Sequence, residues 1–140
     1  MAHVTTDKSQ FDIDMIHTFL SRDAYWSLGI PRALVEKAIS ASLCFAVFDD
    51  DGHQAGFARV ITDYASFAYL ADVFVLPAYR GRGLSKLMMS AIREHPELQM
   101  VRRWLLVTRD AHGLYEQYGF QKVTRPERLM EIVRVNAYAQ

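Results

Sequence analysis

The sequence predicts a single mixed α+β domain over residues 1–140, with a mostly antiparallel central sheet, one β-α-β core and flanking helices. Three observations predict it. Two apolar runs, Leu43–Phe48 and about His53–Thr62, flank Asp49-Asp50-Asp51-Gly52, a hairpin turn signal in which Asp and Gly tolerate positive φ. A third apolar run, Phe67 to Leu76, comes after a second turn at Asp63-Tyr64-Ala65-Ser66, which makes the three an antiparallel meander. Beyond Pro77, a strongly periodic helix and the apolar strand Trp104–Val107 complete one β-α-β unit.

Residues 1–11 are polar and hold at most one short strand. Asp12 can cap a helix with Ile13, Ile16, Phe19 and Leu20 on one side. Ser21 to Ile30 reads as a loop, and Pro31 suits the start of a second helix striped by Leu34, Val35, Ala38 and Ile39. From Gly83 to His95, Leu84, Leu87, Met88, Ala91 and Ile92 recur at helical spacing. Pro96 stops that helix, because the residue before proline is pushed out of the helical region. Asp110 can cap a short helix to Tyr118, with Gly119 as its left-handed exit. Phe120–Val123 and Leu129–Val135 read as a final strand pair, apolar enough to support a homodimer.

Composition narrows the function classes. Hydrophobic residues make up 51% and charged residues 23%, an ordinary globular balance. Sixteen basic and sixteen acidic residues cancel, so bulk charge gives no support to a nucleic-acid partner. The one cysteine, Cys44, excludes an internal disulfide and a thiolate zinc cluster, and its apolar neighbours predict a buried thiol. The five histidines show no metal-ligand spacing, so no metal is expected. With no signal-peptide pattern at the N-terminus and no membrane-length apolar stretch, the expectation is a soluble cytoplasmic protein without a membrane partner.

The join between the third strand and the main helix carries the chemistry. It reads Pro77-Ala78-Tyr79-Arg80-Gly81-Arg82-Gly83-Leu84-Ser85. A helix N-terminus exposes unpaired N–H groups and a partial positive charge, and glycines let a ligand approach the backbone. With Arg80 and Arg82 added, the segment suits a phosphate or pyrophosphate, and equally a surface turn with two arginines. A P-loop is excluded, because no Gly-Lys-Ser/Thr is present. The dinucleotide run Gly-x-Gly-x-x-Gly is absent as well.

The segment resembles the acyl-CoA-binding motif of the GNAT superfamily of N-acyltransferases, Arg/Gln-x-x-Gly-x-Gly/Ala after a Val-x-Pro-like step. Here the matching residues are Val75-Leu76-Pro77, then Arg80, Gly83 and Ser85, the last a small residue in place of Gly/Ala. Further on, Leu114-Tyr115-Glu116-Gln117-Tyr118-Gly119-Phe120 resembles the family's Leu-Tyr-x-x-x-Gly-Phe. The resemblance covers roughly residues 43–125. It implies an acetyl-CoA-dependent N-acetyltransferase. The backbone of Val73, Phe74 and Val75 would pair with the pantetheine arm. Backbone N–H groups of Gly81, Arg82, Gly83, Leu84 and Ser85 would bind the pyrophosphate. Tyr115 would protonate the departing thiolate, with Tyr118 as its local competitor.

Amide formation from a thioester also needs a neutral amine. Asp72, a carboxylate inside an apolar strand, requires a partner or a purpose. It can attract a cationic amine or take a proton through water, or it can make a structural hydrogen bond to a nearby loop. Arg103 and Thr108 stand where some relatives carry Glu and Asn, which leaves the base unassigned. Tyr25, Trp26, Asp63 and Tyr64 occupy loops where an acceptor pocket is expected, for a small-molecule or peptide amine. The competing readings are a CoA-binding sensor without catalysis and an interaction subunit with a vestigial pocket.

Overall fold

A computed structural model describes residues 1–138. Five strands form one sheet in the order β1 (His3–Thr5), β2 (Leu43–Phe48), β3 (Gln54–Thr62), β4 (Phe67–Val75) and β5 (Arg103–Leu106). Neighbours are antiparallel from β1 to β4, whereas β4 and β5 run parallel. The helices α1 (Ile13–Arg22) and α2 (Arg32–Ser40) precede the meander. A parallel pair needs a crossover, supplied here by α3 (Leu84–Glu94), and α4 (His112–Glu116) comes after β5.

Both faces of the sheet are covered, and the strand sequences say so. In β2 every residue after Leu43 is buried, because alternate side chains enter two different cores. Phe45 and Val47 join Leu70, Met88, Met89 and Ile92 under α3. Cys44, Ala46 and Phe48 join Ile16, Phe19, Val35, Phe57 and Phe74 under α1 and α2. Phe19 stacks on Phe74 with ring centres 4.0 Å apart, which fixes α1 over the C-terminal half of β4. Asp12 caps α1 as expected, its carboxylate accepting from the Met15 N–H at 3.0 Å.

Two expectations are corrected. The α4 helix is shorter than 110–118, and Asp110 does not cap it. The Thr108 hydroxyl instead accepts from the Ala111 N–H at 3.0 Å, just before the helix begins. The final strand pair, 120–123 with 129–135, is not formed among the described residues. A strand needs a partner for its backbone. Pro126–Arg128 forms a 3-10 turn, and beyond it the chain runs exposed to solvent.

One irregularity in the sheet shapes the opening between β4 and β5. The register of β3 against β4 slips between Phe57 and Arg59, so Phe57 faces Phe74 while Arg59 faces Ala71. The extra residue lies at Asp72, held at φ 53°. A bulge of this kind bends a strand and redirects its side chains. The ladder to β5 ends just short of it, at Leu70 with Leu106. Among the described residues, no strand takes up the β5-facing edge of β4 from Ala71 to Val75.

Candidate active site

The opening between β4 and β5 leads to the N-terminus of α3. Gly81 and Gly83 hold φ of 81° and 76°, where side-chain-bearing residues are disfavoured. A Cβ on either would meet nothing within 4 Å, so the space in front of the helix is open. Gly83 occupies the capping position, and no side chain caps the helix. Its first-turn N–H groups therefore face that space unsatisfied, beside Arg82. Arg80 is committed to the loop itself, since its Nε donates to the Val75 carbonyl at 2.9 Å. Arg82 lies over the Tyr79 ring, 5.4 Å from its centre. Val73 and Val75 pack partly buried against the α3 core, and Phe74 is buried beneath α1. Ser85 is half-buried on the first turn of α3.

Tyr115 is set into the core on α4, with its ring edge-on to Phe120 at 6.0 Å. Burial raises its pKa above the usual phenol value, and nearby Tyr25 adds to the effect. Its hydroxyl has no hydrogen-bond partner among the described residues, yet it is not sealed from solvent. The competitor, Tyr118, is occupied, because its hydroxyl donates to the Lys86 carbonyl at 3.1 Å and ties α4 to α3. Tyr115 is therefore the tyrosine of this pair with a free hydroxyl.

Asp72 has both of its carboxylate oxygens engaged. One accepts from Trp26 Nε1 at 2.8 Å and the other from Arg59 Nε at 2.9 Å. Arg59 also donates to the Ser42 hydroxyl at 3.2 Å. The loop that carries Trp26 is fixed from within, the Ser27 hydroxyl donating to the Leu20 carbonyl at 2.7 Å. Tyr25 lies edge-on to Trp26, and the Arg109 guanidinium sits 4.0 Å from the Tyr25 ring centre. That contact joins the loop after α1 to the loop after β5. Thus Tyr25, Trp26 and Asp72 gather near Tyr115, whereas Asp63 and Tyr64 do not.

Asp63 and Tyr64 lie in the turn before β4, a full strand of about 30 Å from the glycine loop. Asp63 is committed to that turn. The Ser66 hydroxyl, then the N–H groups of Ala65, Ser66 and Phe67, hold its pKa far below the usual carboxylate range. Sequence reasoning missed Arg59 and Arg109. An arginine at position 59 inside an otherwise apolar strand was the available signal, and Asp72 is its counterpart. Cys44 is buried, and burial pushes its thiol up to about 11.

Beneath α2, a cavity of about 300 Å³ is walled by Leu34, Val35 and Phe57, with Arg59 and Asp72 beside them. No described helix is long and apolar enough to cross a membrane.

Residues 40–122 match the family model of the acetyltransferase (GNAT) domain. The chain is 54% identical to a Xanthomonas campestris pv. campestris protein assigned to the GNAT family of acetyltransferases, whose crystal structure superposes with a TM-score of 0.96 over 100% of this chain and 98% of that one. A Gibberella zeae protein assigned as an acetyltransferase is 29% identical over a 131-residue alignment that covers 80% of this chain and 74% of the relative. A Clostridium acetobutylicum protein solved with acetyl-CoA shares the fold at 14% identity, with a TM-score of 0.68 over 95% of this chain and 96% of that one.

Proposed function

From the premise that this chain belongs to the GNAT family of acetyltransferases, we propose that it moves the acetyl group of acetyl-CoA to a primary amine of a small molecule or peptide by direct attack. The observation that carries this reading is the opening between β4 and β5. It brings the unpaired edge at Val73–Val75 up to the uncapped N-terminus of α3, and α4, after β5, carries Tyr115. Bound acetyl-CoA supplies an activated acyl group as a thioester. The unpaired edge of β4 suits an extended amide-bearing arm, which would add to it as a strand adds to a sheet. The N–H groups of Gly81 to Ser85, with Arg82, suit a pyrophosphate.

The residues then divide the work. The backbone N–H groups of β4 beyond the bulge polarise the acyl carbonyl. Tyr115 hands its phenolic proton to the departing sulfur, and its raised pKa keeps that proton in place at neutral pH. The amine enters neutral, between Trp26 and Tyr25. As its nitrogen bonds the acyl carbon, the C–S bond breaks. The proton the nitrogen sheds passes to water, from which Tyr115 is reprotonated. Asp72 acts by holding Trp26 and the bulge, since both its oxygens are already engaged.

The test is release of free thiol from acetyl-CoA against a panel of amines, wild type beside Tyr115→Phe. We expect turnover by wild type, a fall in kcat of about 10²-fold or more in the variant, and an unchanged affinity for acetyl-CoA. Binding without thiol release from any amine would instead identify a CoA-sensing module.

A further inference from the structure

The rim of the acceptor opening carries one charge that nothing balances. Asp72 and Arg59 cancel each other, and both Asp72 oxygens are engaged. Arg109 has no such counterpart. Among the described residues no carboxylate pairs with its guanidinium, and none of the guanidinium N–H groups makes a hydrogen bond. Asp23 and Asp110, on the same two loops, are exposed and do not pair with it.

An arginine swaying in water would carry no meaning, but this one is stationed. Its guanidinium lies over the Tyr25 ring, 4.0 Å from the centre. Tyr25 lies edge-on to Trp26, with ring centres 5.1 Å apart, and Trp26 is tied to Asp72 at the bulge. Both loops are braced from within. The Ala111 N–H is held by the Thr108 hydroxyl, and the Ser27 hydroxyl by the Leu20 carbonyl. Contact with a ring face consumes none of the N–H donors of a guanidinium. What remains is a planar fork of donors, fixed in place and unspent. That geometry matches a carboxylate, which can accept two parallel N–H bonds.

The charges argue the same way. An acceptor with only positive charge, such as a polyamine, would meet Arg109 with no unengaged acid beside Tyr25 and Trp26 to offset the repulsion. An acceptor that carries an acid next to its amine would be paired instead.

We propose that Arg109 is a specificity-determining residue that binds a carboxylate on the acceptor, so that the substrates are amines bearing an acid. This rests on the reading of the chain as an amine acetyltransferase. With the nitrogen between Trp26 and Tyr25, the carboxylate has only to pass the edge of the Tyr25 ring to meet the guanidinium. The acid arises either from the α-carboxylate of a free amino acid or from an acidic side chain at a peptide N-terminus.

Thiol release is measured with the protein amino acids, their carboxamides, and amidated peptides beginning with Asp. For wild type, kcat/KM should be about 10-fold or more higher for a carboxylate-bearing acceptor than for the matching amide. The free acids and the peptides tell the two sources apart. Arg109→Gln should raise KM for the acid and bring that ratio to about one, with KM for acetyl-CoA unchanged. Arg109→Lys keeps the charge without the fork and should retain part of the ratio. Calorimetry of the same acid–amide pairs on CoA-loaded protein reads the site without turnover. Acid binding that is lost in Arg109→Gln, with no thiol released from any amine, would sink the acetyltransferase reading and leave this site standing. Turnover without an acid preference, a preference that survives Arg109→Gln, a rise in KM for acetyl-CoA in that variant, or no acid binding in either assay would overturn the proposal.

Discussion

The side chains of Arg59 and Asp72 are only 17% and 13% exposed, and each is held by the other. Removing one charge from so enclosed a pair is costly, so Asp72→Asn should lower stability by about 2–4 kcal/mol in denaturant titration. It should also free Trp26, visible as a shifted emission maximum, and raise KM for the amine more than KM for acetyl-CoA. An acid in an apolar strand demands a partner, and that much was legible in the sequence. The partner itself was not, because Arg59 meets Asp72 only through a register slip that periodicity does not encode. Tyr115 makes a complementary prediction. Burial favours the neutral phenol, so its proton is retained beyond the ordinary phenol value of about 10. The pH–rate profile of wild type should therefore hold its activity past that pH before falling, while Tyr115→Phe loses that alkaline limb.

Turns and strands set which side chains can share a site. Gly56 lies on β3 between Val47 and Val75, and a Cβ there would sit 2.6 Å from the Phe74 carbonyl and 2.9 Å from Val47 Cγ1. Backbone at that distance must move. Gly56→Ala should cost about 1–3 kcal/mol, and by displacing Val75 it should weaken acetyl-CoA binding in calorimetry. The turn before β4 behaves differently. Asp63 has its pKa depressed by the Ser66 hydroxyl and three backbone donors, so its contribution is present above the unfolded carboxylate value of about 4. It fades as the pH falls toward the lower folded value. Asp63→Ala should therefore lower Tm at pH 7, with a gap to wild type that narrows below about pH 4, and leave kcat unchanged. Spacing along the chain suggested an acceptor role for this residue. It did not reveal that the turn lies at the opposite end of β4 from the glycine loop. The strand character of 129–135 was legible too, but a pattern of side chains names no partner, and here the single chain supplies none.

The two cores and the meander between them were readable across the whole molecule, because each strand after β1 is an apolar run bounded by turn signals and each of the first three helices carries an apolar stripe. What periodicity reports is a face, not a neighbour, so the opening of the sheet at Leu70 and the path of the C-terminal arm emerge only in three dimensions. The burial of Cys44 has a consequence at this scale. Its thiol sits in the core beneath α2, its Sγ 3.6 Å from the Ile39 carbonyl, and burial holds it protonated. An alkylating reagent in solution meets it only when that core opens, so the pace of labelling becomes a clock for rare unfolding events in an otherwise native population. Saturating acetyl-CoA should slow the clock by about 100-fold at a hundred times its Kd where the opening is global. A slowing far short of that would show that α2 lifts from the sheet while the nucleotide end stays closed, and mass spectrometry of one alkylated cysteine is enough to tell the two apart.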